Sequence, residues 1–133
     1  MVNLKPRYDF HSHTILSDGA LLPAALIREA EVRGIKALAI TDHVDASNFE
    51  EVISTLVRFE KEMEGKLSIR FIPGVEISYI DPKFIPIFAK KAKELGVKIV
   101  VVHGESPVEP VYPGTDAISV QQKGLVDILA HPG

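Results

Sequence analysis

Apolar and polar positions repeat one unit along the chain: a short apolar run, a loop carrying a histidine or an acid, then a segment with helical spacing. Arg7 to Phe10 is the first run and ends at His11. Apolar residues at Leu22, Ala25, Leu26, Ala30 and Val32 predict an amphipathic helix stopped by Gly34. Ile35 to Thr41 reads as a second strand that runs into Asp42 and His43, and Ser47 or Asn48 caps a helix whose stripe is Val52, Ile53, Leu56, Phe59 and Met63. A third strand, Ile69 to Pro73, precedes Gly74, Val75 and Glu76. The next helix starts either at Pro82, behind Asp81, or at Pro86, since proline suits a first helical position in both places, and it ends at Gly96. Lys98 to Val102 is a fourth strand closing on His103, Thr115 to Gly124 a short helix, and Val126 to Ala130 a fifth strand closing on His131.

Strands alternating with helices predict βαβ units and a parallel sheet in one α/β domain over residues 1–133. The near-continuous apolar run Ile99-Val100-Val101-Val102 fits a strand covered on both faces. Nearly every histidine or acid singled out sits at or just after the C-terminal end of a predicted strand. In β/α barrels and open α/β sheets that end is where active sites are built.

Composition narrows the chemistry. The chain has no cysteine, so disulfides and thiolate metal sites are excluded and a metal site must use His, Asp and Glu. Fifteen basic residues against eighteen acidic ones, with no cationic run, give no footprint for nucleic acid or an anionic membrane. No apolar run approaches the roughly 20 residues of a membrane span. Residues 1–13 have no apolar core and do not read as a signal peptide, so a cytoplasmic location is expected.

All five histidines occupy strand ends or the loops after them. His11 and His13 are two apart, and in extended chain such residues point to one side, within reach of one ion. Asp18, before Gly19, reads as a turn residue or cap when taken alone. Asp42 beside His43 reads as a hydrogen-bonded pair or, next to a metal, as a group orienting a ligand from behind. Glu76 has few structural duties at a strand end and has two oxygens with which to bridge cations. His103 and His131 each close an apolar strand, and strands of one parallel sheet converge on one rim. Imidazole and carboxylate donors suit Zn, Mn, Fe or Co, and this many of them favour a cluster. For phosphate ester hydrolysis such a cluster acidifies a bound water to a pKa of about 7 and neutralises phosphoryl charge.

The motifs resemble those of the PHP (polymerase and histidinol phosphatase) domain family. Asp9-Phe10-His11-Ser12-His13-Thr14 with Ser17-Asp18-Gly19 is similar to its first motif, Thr41-Asp42-His43 to its second, Pro73-Gly74-Val75-Glu76 to its bridging-glutamate segment, and Ala130-His131-Pro132 to its third. His103-Gly104-Glu105 to Pro113-Gly114-Thr115 resembles a loop of the histidinol-phosphatase-like branch. The resemblance implies a distorted (β/α)7 TIM-like barrel with up to three divalent ions, Zn, Mn or Fe, and a metal-bound hydroxide as nucleophile. It implies that His11 and His13 bind one ion with Glu76, that Glu76 bridges to a second held by His103 and His131, and that Asp18 and His43 hold the third.

One departure stands out. The family's fourth motif, an Asp and a His on the last strand, has no counterpart before Gly133, and about five of the seven β/α units are present. A β/α barrel needs about 200 residues or more. The chain is therefore expected to be the N-terminal part of a longer protein, or to be closed by a second polypeptide or a symmetry mate. The expected function is a phosphoesterase acting on a small phosphorylated substrate. The alternatives are a PHP-type nuclease and a metal-binding or interaction module without turnover.

Overall fold

The computed structural model describes residues 5–133, so the first four positions of the N-terminal stretch lie outside the described residues. The elements run β1 (Arg7–Asp9), α1 (Pro23–Val32), β2 (Ile35–Ile40), β3 (His43–Val44), α2 (Phe49–Met63), β4 (Arg70–Ile77), a 3-10 turn (Pro82–Phe84), α3 (Ile85–Glu94), β5 (Ile99–His103), α4 (Thr115–Val120) and β6 (Ile128–Ala130). Their strands form one parallel sheet in the order β1-β2-β4-β5-β6, with β3 paired to β4. The sheet curls into a half-barrel: His11 and His131 follow its two edge strands, yet their rings lie 5.9 Å apart.

The helix-covered face holds the main core. Leu38, Ile40, Val75, Val100 and Val102 of the strands pack with Ile27 of α1, Val52, Ile53 and Leu56 of α2 and Ala89 of α3. The α2 stripe is as the spacing predicts. In α1 the buried residues are Ile27 and Ala30, while Leu22 and Val32 face solvent, because the short helix meets the sheet along one i, i+3 row. The concave face is thin: Ala37, Ala39 and Ile72 form a small cluster with Ile99, and Tyr8 and Phe10 stack in the open beside it.

The two-residue β3 is additional to the periodicity reading, α4 stops at Val120 short of Gly124, and β4, α3 and β6 differ in ways that matter for the site. β4 continues through Pro73 and Gly74 to Ile77, so Glu76 lies within a strand. Pro73 is the last residue paired with β2, and Gly74 the first paired with β5, so the missing N–H falls at a junction between ladders, where it is best tolerated. At α3 both proposed prolines are used: Asp81 accepts from the Lys83 N–H over the 3-10 turn, and Pro86 opens the α-helix. β6 starts late because the Asp127 carboxylate takes the Val100 N–H at 2.8 Å, and the Lys93 ammonium with it.

Candidate metal centre

The strands deliver the site residues to one rim. β3 is a short continuation of β2 beyond a break at Thr41 and Asp42, and its His43 lies in register with Glu76. The Glu76 N–H donates to the Asp42 carbonyl at 2.9 Å, fixing Glu76 on the floor of the rim with no exposed surface. His103 ends β5, opposite Ala130 of β6, and His131 follows at once with φ of 49°, a left-handed conformation held at a cost of about 1–3 kcal/mol.

Five imidazoles form a closed circuit of neighbours around that carboxylate. Ring centroids are 5.0 Å apart for His11 and His13, 4.4 Å for His13 and His43, 5.9 Å for His43 and His103, 5.2 Å for His103 and His131, and 5.9 Å for His131 and His11. The circuit closes although the sheet does not. Glu76 Oε1 lies 2.5 Å from His11 Nε2, 3.2 Å from His13 Nε2 and 3.9 Å from His43 Nδ1. His43 Nε2 lies 3.3 Å from Asp18.

Among the described residues, three sets of donor atoms are close enough to hold an ion: His11, His13 and Glu76; Glu76, His103 and His131; and His13, Asp18 and His43. The first two contain the residues expected to act together. The third adds His13 to Asp18 and His43. Among the described residues, two buried side-chain polar atoms lack any hydrogen-bond partner, Glu76 Oε2 and His13 Nδ1. A buried carboxylate oxygen left bare costs about 1–3 kcal/mol or more, and a cation would remove that cost, so the residues present fit a metal.

The surroundings fix ring orientation. The Ser78 hydroxyl donates to the Glu76 carbonyl and accepts from His43 Nδ1 at 2.6 Å, which leaves Nε2 of His43 with a free lone pair toward the cleft. His103 Nδ1 donates to the Gly104 carbonyl at 3.0 Å, with the same result. Asp42 contacts no imidazole. Its buried carboxylate accepts from the Thr14 N–H (2.7 Å), the Thr14 hydroxyl (2.7 Å) and the Ser17 hydroxyl (2.6 Å), bracing the loop between His13 and Asp18. Gly19 closes that loop so tightly that a Cβ there would lie 2.5 Å from the His13 carbonyl oxygen. Glu105 braces the next loop: it takes the Asp116 N–H at 2.8 Å while Asp116 takes the Glu105 N–H at 2.9 Å.

The charges interlock. Burial pushes the Glu76 carboxyl up, but hydrogen bonds from His13 and His11 outweigh it and hold the group down, to about 2. The Glu76 hydrogen bond raises His13, whereas burial lowers His43. A cleft of about 560 Å³ opens over the rim, and among the described residues no Lys or Arg lines it.

Ser78, Tyr79 and Glu109 also border the cleft and were not singled out in the sequence. Ser78 was findable, two residues beyond Glu76 and one past the end of β4, where extended chain turns both side chains the same way. Tyr79 and Glu109 lie in loops without periodicity, and only the fold brings them to His103.

Residues 9–123 match the PHP domain family. Over 128 residues, 96% of this chain and 58% of the relative, the sequence is 51% identical to an uncharacterized protein of Methanocaldococcus jannaschii. It is 30% identical over 143 residues to a probable phosphatase of Shewanella sediminis, covering 98% of this chain and 54% of that one. Over 73 residues, 55% of this chain and 23% of the relative, it is 40% identical to the 5'-3' exoribonuclease Rnm of Escherichia coli. The chain thus spans little more than half the length of the longest-matching relatives.

Proposed function

The chain belongs to the PHP domain family, and on that premise we propose that it is a metal-dependent phosphoesterase that hydrolyses a small phosphomonoester. The observation that carries this reading is the ring of five histidines around a buried, half-bare carboxylate. Glu76 with His11 and His13 would hold one ion, Glu76 with His103 and His131 would hold another, and His13, Asp18 and His43 would be available to a third. Bound divalent ions would supply Lewis acidity toward water and charge neutralisation on the phosphoryl oxygens.

The chain's own residues do the rest by positioning. Ser78 and the Gly104 carbonyl hold His43 and His103 in the tautomer that presents Nε2, and Asp42 keeps the His13–Asp18 loop in place. Among the described residues no Lys or Arg lines the cleft to follow a polyanionic strand, which favours a small ester. The likeness to an exoribonuclease over 73 residues supports a second reading, cleavage of RNA.

Turnover of a small aryl phosphate and of a 5'-phosphorylated RNA oligonucleotide, compared on Mn²⁺- or Zn²⁺-loaded protein, separates the two. The proposal expects aryl phosphate hydrolysis that Glu76→Ala abolishes. Hydrolysis of RNA alone would favour the second reading, and no hydrolysis of either by a metal-loaded chain would favour a binding module.

A further inference from the structure

His103 and His131 flank a single backbone hydrogen bond. The Gly104 N–H, beside His103, donates to the Ala130 carbonyl, beside His131, at 2.7 Å. Only a glycine fits at that crossing. A Cβ on Gly104 would lie 2.7 Å from the Ala130 carbonyl oxygen, 2.8 Å from Asp116 Oδ1 and 3.0 Å from the Pro132 Cα. Gly104 is therefore clamped between the chain around His131 on one side and the Asp116 carboxylate on the other. A Cβ on Gly133 would in turn collide with the Glu105 carbonyl oxygen, so residues 104–105 and 130–133 run in direct contact. His131 keeps φ of 49°, a conformation that a non-glycine residue holds only where its surroundings enforce it. The clamp is such a constraint.

Two acids lock it. Asp116 Oδ1 accepts from the Glu105 N–H at 2.9 Å, and Glu105 Oε1 accepts from the Asp116 N–H at 2.8 Å. The second bond supplies a cap that α4 lacks, since Gly114 at its N-cap has no side chain to offer. A reciprocal pair of this kind ordinarily closes within one helical turn. Here it joins residues eleven apart and so ties the loop after β5 to α4. The helix is itself fixed to the interior, with Thr115 and Ser119 buried and Ile118 packed on the main core. A continuous path thus runs from the core through α4 and Asp116 to the backbone that carries both histidines.

We infer that Asp116, with Glu105, is a positioning residue for the ion assigned to Glu76, His103 and His131. It holds Gly104 against Ala130 and Pro132 and thereby fixes the spacing of His103 and His131, whose rings lie 5.2 Å apart. In this role neither acid binds the ion, and both act through the backbone. The inference rests on the metal reading above, and one experiment separates the failure of each.

Metal-stripped full chain is titrated with Zn²⁺ against a competing chelator, at a temperature where circular dichroism shows the protein folded. The set is wild type, Asp116→Ala, Asp116→Asn, Glu105→Ala, His131→Ala, the double variant Asp116→Ala with His131→Ala, and Glu76→Gln. Asp116→Ala should weaken one ion by about 10-fold and leave the others unchanged, and Glu105→Ala should weaken the same ion. Asp116→Asn keeps the accepting oxygen and should bind as wild type does. In His131→Ala, adding Asp116→Ala should cost no further affinity at the remaining ions, because its effect passes through a site already broken. Glu105→Ala carries the test if Asp116→Ala does not fold. If neither folds, the pair serves the fold and not the ion, and the inference is overturned. Unchanged affinity in the folded alanine variants, a loss spread over every ion, or an equal loss in Asp116→Asn also overturns it. No Zn²⁺ uptake by wild type, or uptake by Glu76→Gln equal to wild type, overturns the metal reading itself.

Discussion

The two faces of the curled sheet are unlike in kind. The convex face is dry and apolar, with α1, α2 and α3 packed over Leu38, Ile40, Val75, Val100 and Val102. The concave face carries a sparse cluster of Ala37, Ala39 and Ile72, exposes Tyr8 and Phe10, and ends at the rim in five histidines and a buried carboxylate. Burial stabilises the first, at about 25 cal/mol per Å² of apolar surface. The second is organised by hydrogen bonds and charge, with polar atoms left for a ligand. Stability and chemistry are therefore held on opposite sides of the same strands, and substitutions should separate them.

The largest effect on stability is expected on the convex side. Leu56→Ala, at a fully buried site, should cost about 2–5 kcal/mol in denaturant unfolding while the folded fraction keeps its metal stoichiometry. A matching loss of metal per folded chain would blur the separation.

Next comes the brace beneath the rim. Asp42→Ala strands the Thr14 N–H and two hydroxyls, at about 1–3 kcal/mol. It should release the ion associated with His13, Asp18 and His43 before the one associated with His103 and His131. Equal loss of both would mean that Asp42 supports the whole rim and not one loop.

Solution pH sharpens the contrast further. Glu76 is depressed in the fold to about 2, so its contribution is present above about pH 4.5 and is lost as pH falls from there toward 2. His13 is raised, so its contribution is full below pH 6.5 and lost as pH rises through its folded value. This pair should make metal-free protein most stable between about pH 4.5 and 6.5, and the lowered His43, whose contribution is full above pH 6.5 and falls as pH drops below it, moves the maximum toward the upper end of that window. Metal must displace the His13 proton, so uptake should strengthen as pH rises past 6.5. Melting curves with and without Zn²⁺ across pH 4 to 9 check both trends; a Zn²⁺ stabilisation independent of pH would contradict them. The smallest effect is expected at Tyr8, 58% exposed on the concave face: Tyr8→Ser should change stability by no more than about 0.5 kcal/mol.

Much of this contrast was legible in the sequence. Valines and isoleucines in unbroken runs announced strands covered by helices, and the histidines stood where those runs stopped. What periodicity could not show were features set by neighbouring strands. Pro73 signalled the end of a strand, yet β4 runs on because its partners change there. Leu22 and Val32 fitted a helical stripe, but α1 buries Ile27 and Ala30 in the core, with Leu26 of the stripe partly buried beside them. Asp42 is hydrogen-bonded to no imidazole because its carboxylate is taken by Thr14 and Ser17, whose hydroxyls arrive from another strand's loop. Tyr79 and Glu109 meet at His103 from loops 30 residues apart, and nothing local to either announces the meeting.

The central claim is that Glu76 is the hub of a metal centre. Elemental analysis of wild-type and Glu76→Gln protein, each loaded with Zn²⁺ or Mn²⁺ and dialysed under identical conditions, tests it most directly, with circular dichroism to confirm that both remain folded. Wild type should retain divalent metal, and the folded variant should retain essentially none. A folded Glu76→Gln chain that keeps as much metal as wild type would contradict the account.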